Sequence, residues 1–324
     1  MVIMAISPIS GMKVAISGLR CGPERRRATA RGLRREQIRV AMAIMELPQA
    51  VRDEWHVLGA ASEITAPRET RLLGETLLAA PVAGGFSVQT KAGTALPAEL
   101  RYGYLWTSLG TPARPLFPLP EFDEPDRRNL NAATITLNVS APRAIENFLD
   151  MAHFPYVHTG ILGEEPHTEV RDYDVEVSAE RHEILATGCV FFQPQAAANA
   201  AGGFDVAYTY RVPHPYCAVL YKSNPRDPAR RDVIAVFLQS LDEEHVAANL
   251  LLSLLDDTTP EADLRNFQQK IFAQDKPILE NQIPKRLPLD PRAETPIRAD
   301  KSAIAYRRWL AATGATYGTI PARG

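Results

Sequence analysis

The sequence predicts an α+β fold, and three observations carry that reading. From about residue 134 onward the chain runs as alternating apolar and polar residues, strand-like and divided by short polar turns. Only two segments of that part carry helical spacing. The third observation is bulk: 324 residues with 45% apolar content can build one large domain or two modest ones around a sizeable core. Strands gathered into an antiparallel sheet and closed by a long C-terminal helix satisfy all three.

Taken in order, residues 1–44 stand apart. They carry nine Lys/Arg against two Glu, a net of +7, which within a whole-chain charge of −2 leaves −9 for the rest. This basic extension upstream of Met42 and Met45 reads as a dispensable segment from a start placed too early, an Arg-rich targeting peptide or a basic arm. The fold is therefore expected to begin near Glu46. Residues 46–125 read as short strands between Gly/Pro-rich loops, "EWHVLGAASEI", "RLLGETLLAAPV", "GGFSVQT" and "YGYLWTSLGTP". Residues 112–131, rich in Pro and acid, read as a surface linker with a domain boundary near 125.

The second domain is expected over 126–290. Strands are predicted at 134–139, 168–177, 182–192, 204–212, 216–221, 233–240 and 246–255, the last two forming a hairpin about Asp242-Glu243-Glu244-His245. A first helix is predicted over 142–152, with Ser140 and Ala141 as cap candidates and Pro142 in its first turn. A second starts near Glu261 and carries Leu264, Phe267, Ile271, Asp275 and Ile278 on one stripe. Residues 291–324 read as a C-terminal tail.

Composition excludes several functions. The acidic body argues against nucleic-acid binding. The longest near-apolar run, about ten residues, is far short of the roughly 20 that cross a bilayer, so no membrane partner is expected. Cys21, Cys189 and Cys217 are too few and too scattered for a disulfide framework or a thiolate metal site, which points to a reducing, cytoplasmic compartment. Cys189 and Cys217, in apolar strands, read as core residues. Any imidazole-bound metal must choose among His56, His153, His158, His167, His182, His214 and His245. Of these His167, His214 and His245 read as loop or surface positions. There is no phosphate loop, G-x-G-x-x-G or G-x-S-x-G motif to support nucleotide binding or serine hydrolysis.

The informative stretch is "ENFLDMAHFPYVH", residues 146–158. Asp150 and His153, three apart, are expected to share a helix face. Pro155 is expected to end the helix, so that His158 swings back from the following turn. Such a D-x2-H-x4-H spacing arises by chance in roughly one comparable sequence in a hundred. It also fits a helix C-terminus that carries two histidines because they suit the dipole. An iron(II) oxygenase site needs two His and a carboxylate. Asp275 is the best candidate, because an ionised carboxylate on an apolar stripe is costly unless paired or metal-bound; it could instead cap a helix kinked at Pro277.

The pattern Asn147-x2-Asp150-x2-His153-x4-His158, followed by "TGILG" and much later by "FAQDKPILENQ", resembles the catalytic domain of Rieske non-haem iron oxygenase alpha subunits. The nearest branch contains the vanillate and dicamba O-demethylases and the methylxanthine N-demethylases. The resemblance implies a helix-grip fold, with a curved antiparallel sheet around a long helix. It makes His153, His158 and Asp275 the ligands of a mononuclear Fe(II), with O2 as co-substrate. It makes Asp150 the carboxylate that bridges electrons into the site and gives Asn147 a supporting position behind it. The family's N-terminal domain holds a 2Fe–2S cluster on two Cys and two His. Its framing strands are present here, but only 19 residues separate Val82 from Tyr102, with neither Cys nor His among them. Residues 46–125 thus read as a degenerate Rieske-like β domain without cluster ligands.

The expected function is the catalytic component of a multi-component oxygenase that hydroxylates or demethylates a small aromatic or N/O-methylated heterocyclic substrate. Electrons would come from a separate Rieske protein or ferredoxin and an NAD(P)H reductase, within a trimeric homo- or hetero-oligomer. Two other readings are a non-catalytic structural subunit of a Rieske oxygenase and a metal-free helix-grip ligand-binding protein. Phe191, Tyr208 and Leu251 are candidate pocket residues.

Overall fold

The computed structural model describes residues 47–198, 202–224 and 227–322; the basic extension at 1–44 lies outside them. After a single helical turn, α1 (Gln49–Arg52), come seven short strands: β1 (His56–Ala60), β2 (Arg68–Leu72), β3 (Glu75–Val82), β4 (Gly85–Thr90), β5 (Ala95–Leu96), β6 (Ala98–Arg101) and β7 (Tyr104–Thr107). They form a three-stranded sheet in the order β1-β7-β6 and a four-stranded meander β2-β3-β4-β5. The stretch without Cys or His closes in part as a hairpin. Val82 pairs with Gly85 across Ala83 and Gly84, and the φ of +84° at Gly84 is one that glycine adopts without strain.

The remaining elements are β8 (Arg128–Leu137), α2 (Ala141–Leu149), α3 (Phe154–Val157), β9 (Asp174–Ser178), β10 (Glu183–Gln193), β11 (Phe204–His214), β12 (Cys217–Asn224), β13 (Asp227–Ser240), β14 (Val246–Leu254), α4 (Glu261–Asn281), β15 (Leu287–Pro288), α5 (Lys301–Thr313) and β16 (Thr319–Ile320). Seven of them make one antiparallel sheet, β8-β14-β13-β12-β11-β10-β9, in which the hairpin connections run outward from β14 and β8 closes the other edge. This is the predicted α+β architecture. No described helix is long and apolar enough to cross a membrane.

Strand alternation divides the sheet into two apolar faces. Val219, Val233, Ala235, Phe237 and Leu251 pack against Val57, Tyr104 and Trp106 from the N-terminal strands and Phe117 and Leu119 from the segment that follows them. Leu220, Val236, Leu238 and Leu250 face the other way, toward α4. Phe237 is the hub of the first face, with ring centroids 5.1 Å from Trp106, 5.3 Å from Tyr104 and 6.0 Å from Phe117.

Two readings need correction. Residues 112–131 are a linker only in part: Phe117 and Leu119 are buried in this core, and Arg128 already opens β8. The chain after residue 290 is no tail, since α5 buries Tyr306, Trp309 and Leu310, and β16 pairs with β15. Burial of large apolar side chains overrides the polar and proline-rich composition of both segments. Cys189 and Cys217 are buried as expected.

His214 is not at the surface either. It lies buried beside His56, their ring centroids 5.6 Å apart. His56 Nε2 donates to the Val51 carbonyl at 2.7 Å, and His214 Nδ1 accepts from the Tyr216 N–H at 3.0 Å. Burial pushes His56 down to about 4, although its bond to Val51 opposes this, and pushes His214 well below its ordinary 6.5. Both rings are therefore neutral in the fold. The unfolded chain takes up protons near 6.5 while the folded chain does not, so stability should fall as pH drops from about 6.5 toward 4. Urea midpoints across that window check this, and His214→Asn should flatten the slope. Phe237→Ala should cost about 3–5 kcal/mol and lower the urea midpoint of the whole chain, because it empties the core shared by both sets of strands.

Candidate metal centre

The first helix starts where the sequence places it: Ser140 caps α2, its Oγ accepting from the Arg143 N–H at 3.3 Å, and Pro142 lies in the first turn. It ends three residues early. Asp150 is extended (φ −85°, ψ 125°), and its Oδ1 accepts the Ala152 N–H at 2.7 Å, a local turn that competes with helix. Asp150 and His153 therefore share no helix face; they meet across this turn. Pro155 does not end a helix but sits in the first turn of α3, where its missing N–H costs nothing. His153 and His158 flank α3 as its two caps. Gly163 explains the end of the motif: a Cβ there would lie 2.7 Å from the Pro155 nitrogen, so only glycine lets the loop fold back against α3.

Helix α4 supplies the rest and runs unbroken through Pro277. Its inner stripe is Leu264, Ile271, Phe272, Asp275 and Leu279; Ile278, placed on the stripe by spacing, is 46% exposed. Asp275 is buried.

His153, His158 and Asp275 converge, with one ligand atom from each within 4.8 Å of the others. The two Nε2 atoms are 3.1 Å apart, and Asp275 Oδ1 lies 3.3 Å from that of His153 and 3.0 Å from that of His158. Each Nδ1 is tied outward, His153 to Asp150 Oδ2 at 3.0 Å and His158 to Gln274 Oε1 at 3.0 Å. Those oxygens can only accept, so both Nδ1 atoms carry the proton and both Nε2 lone pairs aim inward. Asp275 Oδ1, though close to both, is oriented for a hydrogen bond with neither. Three acceptors facing one another need a cation between them, and the donor set fits a two-His, one-carboxylate metal. In the chain without metal a proton answers that need. Burial opposes charge on His153, but Asp150 and Asp275 outweigh it and push it up to about 9. Burial likewise opposes charge on Asp275, and the two imidazoles hold it down to about 2.

The three residues lie in the wall of an apolar cavity bounded by Phe154, Tyr208, Leu220, Ile234, Phe267 and Phe272. Of the pocket candidates, Tyr208 lines it, Phe191 lies behind it with its ring 5.5 Å from Phe154, and Leu251 faces the opposite core. Asp150 opens instead onto a polar cleft with Arg143, Glu146, Glu294, Asp300 and Arg307; Asn147 borders both spaces. His167 stacks on Phe192 at 4.4 Å, and His245 lies exposed against Asp242 at 2.8 Å. Three polar residues of the site were not foreseen: Gln274, Lys222 and Gln268, the last in the cavity wall. Gln274 was signalled only by standing next to Asp275. Lys222, also in the cavity wall, is the single cation in the strand "CAVLYKSN".

That donor set, at the wall of an apolar cavity, is the one used by non-haem iron oxygenases. Residues 137–316 match the family described as the vanillate O-demethylase oxygenase C-terminal domain. The chain is 46% identical over 272 residues to a probable methylxanthine N7-demethylase, NdmC, of Pseudomonas sp. (strain TJI-51), covering 83% of this chain and 96% of that protein. Its fold is similar to that of Pseudomonas putida CBB5 NdmA with caffeine, at a TM-score of 0.68 and 20% identity over 81% of this chain and 91% of the other. Dicamba monooxygenase bound to dicamba is also similar, at a TM-score of 0.65 and 16% identity over 81% and 97%. The chain belongs to the Rieske oxygenase alpha-subunit family, of which it carries the catalytic domain of the vanillate O-demethylase type. It is an oxidoreductase, an oxygenase of a family that uses non-haem iron and O2.

Gln274→Ala should free the His158 ring and weaken binding of Fe(II) or Co(II) by about 10- to 100-fold, and should also lower the metal-free melting temperature because the buried Nδ1–H loses its acceptor. Metal titration of the two proteins checks this.

Proposed function

We propose that the chain is the oxygenase component of a multi-component N-demethylase acting on a methylated heterocycle of the methylxanthine type, with Fe(II) held by His153, His158 and Asp275. The observation that carries the reading is the inward convergence of two Nδ1-anchored imidazoles and one buried carboxylate at the cavity wall. The 46% identity to a probable methylxanthine N7-demethylase supports the substrate class. Iron bound there would supply O2 activation for hydroxylation of the substrate's methyl group, which then leaves as formaldehyde.

The chain's own residues do the rest. Phe154, Phe267 and Phe272 stack or wedge a planar ring and keep water from it. Asp150 fixes the His153 tautomer through Nδ1 and faces the polar cleft, which makes it the point of electron entry from a Rieske or ferredoxin partner served by a reductase. A cavity that merely stored a ligand would have no use for three buried acceptors at mutual contact, so the catalytic reading is preferred to a metal-free or structural one.

Purified chain loaded with Fe(II) should hold close to one iron, and His153→Ala and Asp275→Ala should lose it together with demethylation of 7-methylxanthine. Asp150→Asn should keep the iron while turnover with the electron-donor partner falls by about 10- to 100-fold. A wild-type chain that binds no iron, and whose stability is indifferent to a chelator, overturns the reading.

A further inference from the structure

Across the cavity floor, Tyr208 on β11 pairs with Lys222 on β12, which pairs with Asp232 on β13. Lys222 is out of place there. Its cavity-side neighbours Leu220, Ile234, Val236 and Leu250 are aliphatic, and it is only 8% exposed. Burying an ammonium is costly unless other groups compensate. Compensation is partial: Nζ donates to the Ala196 carbonyl, while the Asp232 carboxylate is engaged by the Leu255 N–H at 2.9 Å and the Asn224 side-chain amide at 3.2 Å. Burial accordingly pushes Lys222 down to about 8, with Asp232 opposing. An ammonium has three N–H donors, and the described residues supply an acceptor for one. Lys222 also stands at a junction. It borders the cavity that contains His153, His158 and Asp275, and the outer pocket lined by Phe204, Asp232, Leu254 and Leu264. An aliphatic side chain would serve the packing of this strand better, so the charge answers to something the cavity receives.

We propose that Lys222 is the specificity-determining residue of the cavity. Its Nζ–H donates to a ring carbonyl or anionic ring nitrogen of a planar oxo-heterocycle, whose methyl-bearing edge is thereby turned toward His153, His158 and Asp275. This rests on the N-demethylase reading above and adds the feature by which the substrate is chosen. A ring without acceptors would leave two of the ammonium's three N–H groups without an acceptor, and a site built around such a donor rejects analogues that lack one.

The test compares binding of 7-methylxanthine with that of 1-methylindole, an N-methylated bicycle of the same shape with neither a carbonyl nor an acceptor ring nitrogen, by calorimetry on the full chain and on Lys222→Met. Wild type should prefer the oxo-heterocycle. In Lys222→Met that affinity should fall by about 10- to 100-fold while the carbonyl-free ring binds as well or better, so the preference collapses. The melting temperature should hold or rise, because a thioether sits among aliphatic neighbours without a buried charge. Should the Met variant not fold, Lys222→Gln, a neutral donor, should show a smaller loss of preference. An unchanged preference overturns the proposal and leaves the N-demethylase reading standing, as does an equal loss for both ligands, which marks a structural lysine. A wild-type chain that binds neither ring removes the substrate class itself, and both fall.

Discussion

The Nε2 atoms of His153 and His158 and the Oδ1 of Asp275 approach one another to 3.0 to 3.3 Å, and because they repel unless a cation or proton lies between them, the three side chains have to be contained from outside. The containment is visible at three levels. At the rings, Asp150 and Gln274 hold each Nδ1. At α4, Gln269 and Lys276 each reach a β8 carbonyl at 2.7 Å, from Ala132 and Thr136, and Glu280 accepts the Asn138 N–H at 3.0 Å, so the helix cannot roll Asp275 away. At α2, Arg143 and Arg307 form a nearly buried lattice with Glu146 and Glu294 that ties the helix before the histidines to the chain beyond residue 290. An isolated ion pair would contribute little; a four-membered network with both guanidinium groups buried and Glu294 at the rim of the cleft fixes geometry.

The same sheet explains what the N-terminal strands do. Each of β12, β13 and β14 alternates, so a strand that gives Leu220, Val236 or Leu250 to the cavity must give Val219, Phe237 or Leu251 to the opposite face. That face is apolar and needs a cover. Tyr104, Trp106 and Phe117 provide it, and the tip of the β2–β3 hairpin docks on the β13–β14 turn through the Leu73 and Gly74 N–H groups, at 2.7 Å and 2.9 Å from the Ser240 and Leu241 carbonyls. The N-terminal strands thus have a packing role of their own, as the cover of the sheet's second apolar face.

The α+β class was legible in the strand period, whereas spacing alone left the two histidines open to a helix-end reading and Asp275 to a capping one, and only the family resemblance joined the three residues that the structure brings together. Strand alternation survives tertiary context, and a carboxylate on an apolar stripe announces a partner. The failures are local or long-range. The Asp150 side chain ended α2 early by bonding the Ala152 N–H, a competition that helical spacing does not register. Pro155 reads as a stop or a start depending on which residue before it is helical, and only the turn at Asp150 decides. His214 lies between prolines yet is buried, because its ring packs 5.6 Å from that of His56, 158 residues earlier in the chain. The fold of the last thirty or so residues was missed because Tyr306, Trp309 and Leu310 make a helical stripe too short to register beside polar flanks.

His153 is where two unlike spaces meet. Its Nε2 side faces an apolar cavity suited to a planar ring, and its Nδ1 side leads through Asp150 to a cleft of arginines and carboxylates. If electrons and substrate are to reach one metal without meeting each other, they must arrive from different sides, and a single imidazole with two distinguishable nitrogens separates them. The cleft is built from α2, α5 and residues 291–307, none of it from the strands at 56–107. In the proposed function that cleft is the surface onto which a separate electron donor would dock, and its shape is independent of the N-terminal strands.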